Sequence, residues 1–377
     1  MIGTQRFTAA LTPFDTALAR LLDGVHAVGP AEIALADAIG CVAAELPKTV
    51  TSLPPFNVAI SDGWAMRARD LAGASSYAPL PLQAVPTWVE GGDRLPEDCD
   101  CVIDESALER NGPIFQVVTE AIPGEGIRRI GGDFAAGATV ITAGRPVAVA
   151  DLIAARASGR DTLPVRRPHV RVVGVRSRDG SSTSAEFIAA AVREAGARVT
   201  LTTTAARDVA SIGSVIGDGA GDLLLLVGGS GVGSNDATVT ALAAAGRVAA
   251  HGLAINPGRT TAVGHVGSVP VVVIPGAPAH ALAAWLALAR PVLDRLTLRA
   301  PRQAIVRPLA RKIASEIGFS ELVLLKTIDG KWMPLAGGDL PLGQIAAADA
   351  CLIVPGASEG YAEGAQIAAL PLREMHE

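Results

Sequence analysis

The spacing of apolar positions changes several times along the chain, and each change predicts a different kind of element. Phe14, Leu18, Leu21, Leu22 and Val25 recur at helical intervals in FDTALARLLDGVHAV, with Thr12 and Pro13 as a start and Asp15 in the first turn. A second helix-like piece, ALADAIGCVAAE, follows. After Pro47 the texture shifts to short strands broken by Pro and Gly, as in PLPLQAVPTWVEGGDRLPEDCDCVIDES. Helical texture returns at AVADLIAARASG, so the β-rich stretch 48–128 reads as an insertion. From Pro168 strands and helices alternate. HVRVVGV, VTLTTTA, DLLLLV and VPVVVIPG read as strands; SAEFIAAAVREAGARV (with Gly196 near its end), residues 207–217, DATVTALAAAG and AHALAAWLALARPVLDRL read as helices.

Such alternation, with glycine at strand ends, predicts a largely parallel sheet covered by helices. The last segment consists of short strands and turns. The expected fold is therefore a multidomain α/β protein with a mostly parallel central sheet. Residues 1–47 and 129–166 form a helical and extended linker domain, 48–128 the inserted β domain, 167–298 the α/β domain, and 299–377 a small β-barrel-like domain. The length of 377 residues agrees, since single cores stop growing below that size.

Composition narrows the class. The chain is 49% hydrophobic but only 3% aromatic, so its core is built from Ala, Val, Leu and Ile. A net charge of −5 with scattered basic residues argues against a nucleic-acid partner. The densest basic cluster, Arg166, Arg167, His169 and Arg171, reads as a solvated strand start or hinge. Apolar runs are too short to span a bilayer, and no basic-then-apolar secretory segment is visible at the N-terminus. Cys41, Cys99, Cys101 and Cys351 show no metal-ligand spacing, which fits structural thiols in a reducing cytoplasm.

The candidate chemistry lies where DLLLLV runs into GGSGVGSND. Gly228, Gly229, Gly231 and Gly233, with Ser230 among them, follow Val227, and Asp236 closes the loop before a helix expected to start near it. Strand ends in open parallel sheets bind ligands, and a glycine-rich backbone ahead of a helix suits a phosphate. It is no Walker A loop, because Ser234 rather than Lys follows Gly233. It is no dinucleotide fingerprint either, because its glycines stand two apart. The loop alone leaves two readings open: an anion cradle, or a plain connection whose Asp236 caps the helix. Two further stretches favour a site. Pro275, Gly276 and Pro278 form a rigid turn at another strand end, and Pro257 and Gly258 place Arg259 after a turn, where a guanidinium can pair with phosphate.

These elements together resemble the molybdopterin molybdenumtransferase family, the MoeA and gephyrin E-domain type. PPFNVAISDGWAMRARD (54–70), EGGDRLPEDCDCVIDES and GIRRIGGDFAAGATVI are similar to its N-terminal segments, and GGSGVGSND, INPGR and IPGAP to its glycine loop and Pro-Gly turns, in the same order. The resemblance implies insertion of molybdate into adenylated molybdopterin with release of AMP, in an elongated homodimer of four-domain chains. The ligand would lie between the sheet domain of one subunit and the β-rich insert of the other. The glycine loop, the Pro257–Arg259 turn and the Pro275–Pro278 turn would hold the pterin phosphate. Asp62, Asp133 and Asp236 would serve molybdate, adenylate or Mg²⁺, with Asp62 and Asp236 the candidate metal ligands. Without the family, Asp62 and Asp133 read as turn residues. An adenylyltransferase or an apo-molybdoenzyme would be the protein partner.

The chain also departs from the family pattern. GVRSRD (174–179) replaces a strand end with two acids, bringing in Arg176 and Arg178 and leaving Asp179 as the acid. Asn57, Val58 and Ala59 replace an Asp-Asn-Ser run, and Glu90, Gly132 and Ala277 stand where Thr, Glu and Asn are usual. Added arginines disfavour a bound metal and suit an anion. A paralogue that carries molybdopterin or the finished cofactor without inserting metal is the alternative, and a scaffold role is a third.

Overall fold

The computed structural model describes residues 10–176, 183–217 and 219–373. Arg178 and Asp179 lie outside them. The chain forms two compact units, one of residues 1–44, 143–148 and 163–377, the other of residues 45–142 and 149–162. The expected linker segment 129–166 is thus shared between the two.

The first unit is organised by a six-stranded sheet. Its elements are β1 (His169–Gly174), α1 (Thr183–Glu194), β2 (Arg198–Thr203), α2 (Val209–Gly217), β3 (Leu223–Val227), α3 (Thr238–Ala245), β4 (Arg247–His251), β5 (Ala262–Val266), β6 (Val269–Ile274) and α4 (Pro278–Ala284). The strand order is β2-β1-β3-β6-β5-β4. β2, β1, β3 and β6 are mutually parallel, in register His169 with Arg198, Val170 with Leu223 and Leu224 with Val271. β5 runs antiparallel to both β6 and β4, forming the edge that a largely parallel reading leaves out.

Five consecutive apolar residues make β3 a strand buried on both faces. Alternation sends Leu223, Leu225 and Val227 into one core and Leu224 and Leu226 into another. The first core also receives Phe14, Ala17 and Leu21 from the helix Phe14–Leu22, which is shorter than the 14–28 periodicity suggests because Asp23 turns extended. ALADAIGCVAAE gives only one helical turn, Leu35–Ala38, before the strand Val42–Ala43. The helix begun by α4 continues through a π-helical turn, Trp285–Ala289, into α5 (Arg290–Thr297). Pro291 has no N–H for an ordinary helical bond, and the wider turn before it accommodates that loss.

The C-terminal residues build a second sheet of the same unit. Its strand Ser320–Ile328 pairs with Leu253–Asn256, which in turn pairs with Thr12–Pro13. The segment is not purely β, since Leu342–Ala347 is helical. Trp332 is its fully buried centre, with Nε1 donating to the Ile305 and Ile367 carbonyls.

The second unit consists of short sheets. Gly63–Met66 lies between Thr87–Val89 and Cys101–Ile103, and Ile114–Val117 lies between Leu80–Leu82 and Leu108–Asn111. The helix Val149–Ala157 also belongs to it. All four cysteines are free thiols. No helix among the described residues is long and apolar enough to cross a membrane.

Candidate functional site

In chain order the sheet grows from β1 outward to β2, then reverses and places β3 on the other side of β1. The crevice beyond the carboxyl ends of β1 and β3 is therefore the topological switch point, where open α/β sheets bind ligands. A cavity of 660 Å³ lies there. Gly174 and Val175 from the end of β1, Gly228–Gly231 after β3 and Pro275–Pro278 after β6 line it, with Thr183 and Ser184 at the start of α1.

The loop after β3 takes its shape from its glycines. Gly228 and Gly229 have φ of +105° and +65°, a region that L side chains rarely adopt. A Cβ on Gly229 would stand 2.4 Å from Thr238 Oγ1, and one on Gly231 would stand 2.6 Å from Asp236 Oδ2. Thr238 Oγ1 donates to the Gly228 carbonyl at 2.8 Å, tying the first residue of α3 back to the end of β3. Ser230 Oγ lies 3.0 Å from Thr260 Oγ1, and the Ser230 carbonyl lies 2.9 Å from His251 Nε2. Ser184 Oγ donates to the Gly276 carbonyl at 2.7 Å, joining α1 to the Pro275–Pro278 turn. The floor is thus a hydrogen-bonded frame lined by glycine backbone.

Asp236 does not cap α3. The helix begins at Thr238 after Ala237, which makes no side-chain cap. Its carboxylate instead binds the loop: Oδ2 accepts the Gly233 N–H at 3.1 Å, and Oδ1 pairs with Arg207 Nη2 at 3.1 Å. Arg207 also donates through Nη1 to the Arg176 carbonyl at 3.0 Å and through Nε to the Asn235 carbonyl at 3.3 Å. It thereby links the end of β1 to the end of the glycine loop. Arg207, Asp236 and His280 are the ionisable side chains lining the cavity among the described residues.

The sequence candidates separate into three places. Gly228, Gly229, Ser230, Gly231, Pro275, Gly276, Pro278 and Asp236 line the one cavity, with Gly233 held against Asp236. Arg259 lies elsewhere. Its guanidinium stands 6.0 Å from the Phe319 ring centroid and lines a separate 180 Å³ cavity with Asn256, Glu316 and Glu321. The Pro257–Gly258 turn, closed by the Thr261 N–H on the Gly258 carbonyl at 2.8 Å, delivers Thr260 rather than Arg259 to the glycine cavity. Asp62 and Asp133 belong to the second unit, where Asp62 Oδ1 accepts the Gly91 N–H at 2.7 Å and Asp133 Oδ1 pairs with Arg128 Nη1 at 2.7 Å. Arg207, Thr260, Ser184 and His280 escape sequence reasoning. No motif surrounds Arg207 in AARDVAS, and only the fold carries it to the loop.

Residues 12–159 match the model of the MoeA N-terminal region (domain I and II), and residues 169–295 match that of a "probable molybdopterin binding domain". The chain is 31% identical over 306 residues to molybdopterin molybdenumtransferase 2 of Mycobacterium tuberculosis, covering 71% of this chain and 76% of that one. It is 26% identical to molybdopterin molybdenumtransferase 1 of the same organism, over 92% of this chain and 95% of the relative. The crystal structure of a molybdopterin biosynthesis MoeA protein from Pyrococcus horikoshii superposes with a TM-score of 0.71 over 96% of this chain and 100% of its own, at 22% identity, which shows the shared fold. A glycine-lined cavity at the switch point of the sheet, in a chain matched along both its parts, leads to one family: this chain belongs to the molybdopterin molybdenumtransferases of the MoeA type.

Proposed function

We propose that the chain acts in molybdenum cofactor biosynthesis, binding adenylated molybdopterin and inserting molybdate as AMP is released. The observation that carries the reading is the switch-point cavity, where glycine backbone and the Arg207 guanidinium face one space. Arg207 uses three hydrogen bonds to fix its position, and its fork has five N–H donors, so a phosphate can pair with it without displacing the guanidinium. Gly228–Gly231 admit the phosphate close to the backbone, and the Pro275–Pro278 turn forms the opposite wall.

Magnesium is the cofactor that the family resemblance implies, and the donor set does not fit it. Mg²⁺ requires clustered oxygen ligands at near-octahedral positions. Asp236 is the one carboxylate lining the cavity among the described residues, and both of its oxygens are already engaged. Among the described residues no group of three or more His, Cys, Asp or Glu side chains could hold a metal ion. No metal step is therefore assigned to the candidate ligands Asp62 and Asp236 in this reading. Within this reading Asp236 orders the loop that receives the phosphate, and Asp62 and Asp133 remain candidates for contact with molybdate or adenylate. A homodimer of four-domain chains in the cytoplasm, passing its product to an apo-molybdoenzyme, completes the proposal.

A second reading has its own support. The commitment of Asp236 to Arg207 suits a paralogue that carries molybdopterin or the finished cofactor without inserting metal. Incubation with adenylated molybdopterin, molybdate and Mg²⁺ separates the two. Release of AMP establishes the transferase, pterin binding without AMP release establishes the carrier, and absence of pterin binding at micromolar protein removes both.

A further inference from the structure

A second cavity in the same unit, of 490 Å³, opens among α1, the helix 278–297, Arg299, Arg302 and residues 345–348 and 371–373. It shares no lining residue with the glycine cavity. Its wall carries Arg290, Arg299, Arg302 and Arg373 against a single acid, the exposed Glu194. Phe187 and Trp285 contribute an apolar, aromatic side.

The arginines are poorly balanced. Asp294 accepts two bonds from Arg302, at 2.9 Å through Nη2 and 3.3 Å through Nε. Arg299 Nε comes no nearer than 4.0 Å to that carboxylate in its ion pair. Arg290 lies deep beside Cys351, to which its side chain is hydrogen-bonded, and Asp294 adds longer-range attraction. Burial raises the pKa of the Cys351 thiol, so the group beside Arg290 is a neutral hydrogen-bond partner. Burial likewise pulls Arg290 and Arg299 below the ordinary arginine value, with Arg302 adding repulsion to each. Three guanidinium groups thus share one carboxylate in a half-enclosed space. Arg373 stands 3.8 Å from Asp349 and donates to the Ala346 carbonyl at 2.6 Å, which holds it at the rim.

Buried cations call for a compensating anion. Within the cluster of Arg290, Arg299, Arg302 and Asp294 the positive charges exceed the negative by two, which suits a dianion, and planar guanidinium groups pair with phosphate oxygens through parallel hydrogen bonds. We propose that this cavity is a second anion site, taking a small organic phosphate whose phosphate lies among Arg290, Arg299 and Arg302 and whose apolar body packs against Phe187 and Trp285. The proposal is independent of what the glycine cavity binds.

Calorimetric titration of the full chain with AMP, and with inorganic phosphate as the headgroup alone, tests it. The expected result is saturable binding of AMP that weakens at least tenfold in Arg299→Gln and in Phe187→Glu, and that persists in Arg207→Ala. Phe187 is 36% exposed, so a glutamate there repels the anion without disturbing the core, and it decides the matter if Arg299→Gln unfolds. Tighter binding of AMP than of inorganic phosphate supports the apolar contact. The proposal is overturned if neither probe binds at millimolar concentration. It is equally overturned if AMP binding is unchanged in Phe187→Glu, or is abolished by Arg207→Ala alone.

Discussion

Arg207 Nη2 and Asp236 Oδ1 stand 3.1 Å apart across 29 residues of sequence, with side chains 28% and 22% exposed. The pair closes the glycine loop from outside, while Asp236 Oδ2 closes it from within through the Gly233 N–H. Its contribution to stability is modest, about 1 kcal/mol for a pair at this exposure. Arg207 itself matters more to binding, because its guanidinium is a fixed cation facing the cavity.

Arg207→Ala accordingly lowers the thermal midpoint by only about 2 °C. It weakens binding of a phosphate-bearing pterin by tenfold or more, on the order of the 1.5–3 kcal/mol carried by a hydrogen bond to a charged group. Asp236→Asn retains that binding to within about threefold, since a surface-type pair is worth little and the anion loses a repelling neighbour. Scanning calorimetry and equilibrium titration measure both. Collapse of binding in Asp236→Asn, restored by Mg²⁺ in the native chain alone, would mark Asp236 as a metal ligand instead.

The two inner glycines differ in what a methyl group disturbs. Gly229→Ala meets both the positive φ and Thr238 Oγ1, and it costs about 1–3 kcal/mol of global stability. Gly231→Ala has no such backbone penalty and pushes instead against the Asp236 carboxylate. It leaves the chain within about 1 kcal/mol of native stability while loosening the loop. Urea denaturation together with proteolysis of the loop distinguishes them. Equal destabilisation by both would show that the Asp236 latch belongs to the folding core.

His265 is buried, and that burial, reinforced by Arg247, lowers its pKa. The imidazole is therefore neutral in the folded chain over a range where the unfolded chain takes up a proton. Stability from this group is complete above about pH 6.5, the unfolded value, and is lost as pH falls from there through the folded value. Replacement by glutamine removes the dependence, so His265→Gln shows a shallower loss of thermal midpoint from about pH 7 to pH 5 than the native chain.

Burial, with Asp100 adding repulsion, pushes the Cys101 thiol up to about 12, and burial also raises Cys41 and Cys351. The thiolate is the reactive form, so these three resist an aromatic disulfide reagent at pH 8 in the native state. Cys99 is only half buried and reacts first among the four. All four titrate in denaturant. Rapid native modification at Cys101 would contradict the packing of the strand Cys101–Ile103.

Much of this architecture is written in local pattern. Leu223–Val227 announces a doubly buried strand because every residue is apolar, and the glycines after it announce a loop that needs positive φ. Patterns fail where the decisive partner is distant. Asp236 is legible as a loop-closing acid, yet its role depends on Arg207, and nothing local to AARDVAS marks that arginine. The INPGR turn is legible as a turn, but register with the strand Ser320–Ile328 sends Arg259 toward Phe319 and leaves Thr260 facing the cavity. Helix ends depart from the local periodicity for a related reason. Alanine-rich ALADAIGCVAAE carries helical propensity, but Val42–Ala43 is claimed by pairing with Val165 and Arg166.

The central claim is that the switch-point cavity holds the phosphate end of a pterin through glycine backbone and Arg207. Equilibrium titration of the full chain with adenylated molybdopterin in the presence of EDTA tests it most directly. The account predicts saturable binding that survives chelation and weakens at least tenfold in Arg207→Ala. Binding that requires Mg²⁺, or that is indifferent to the loss of Arg207, would contradict it.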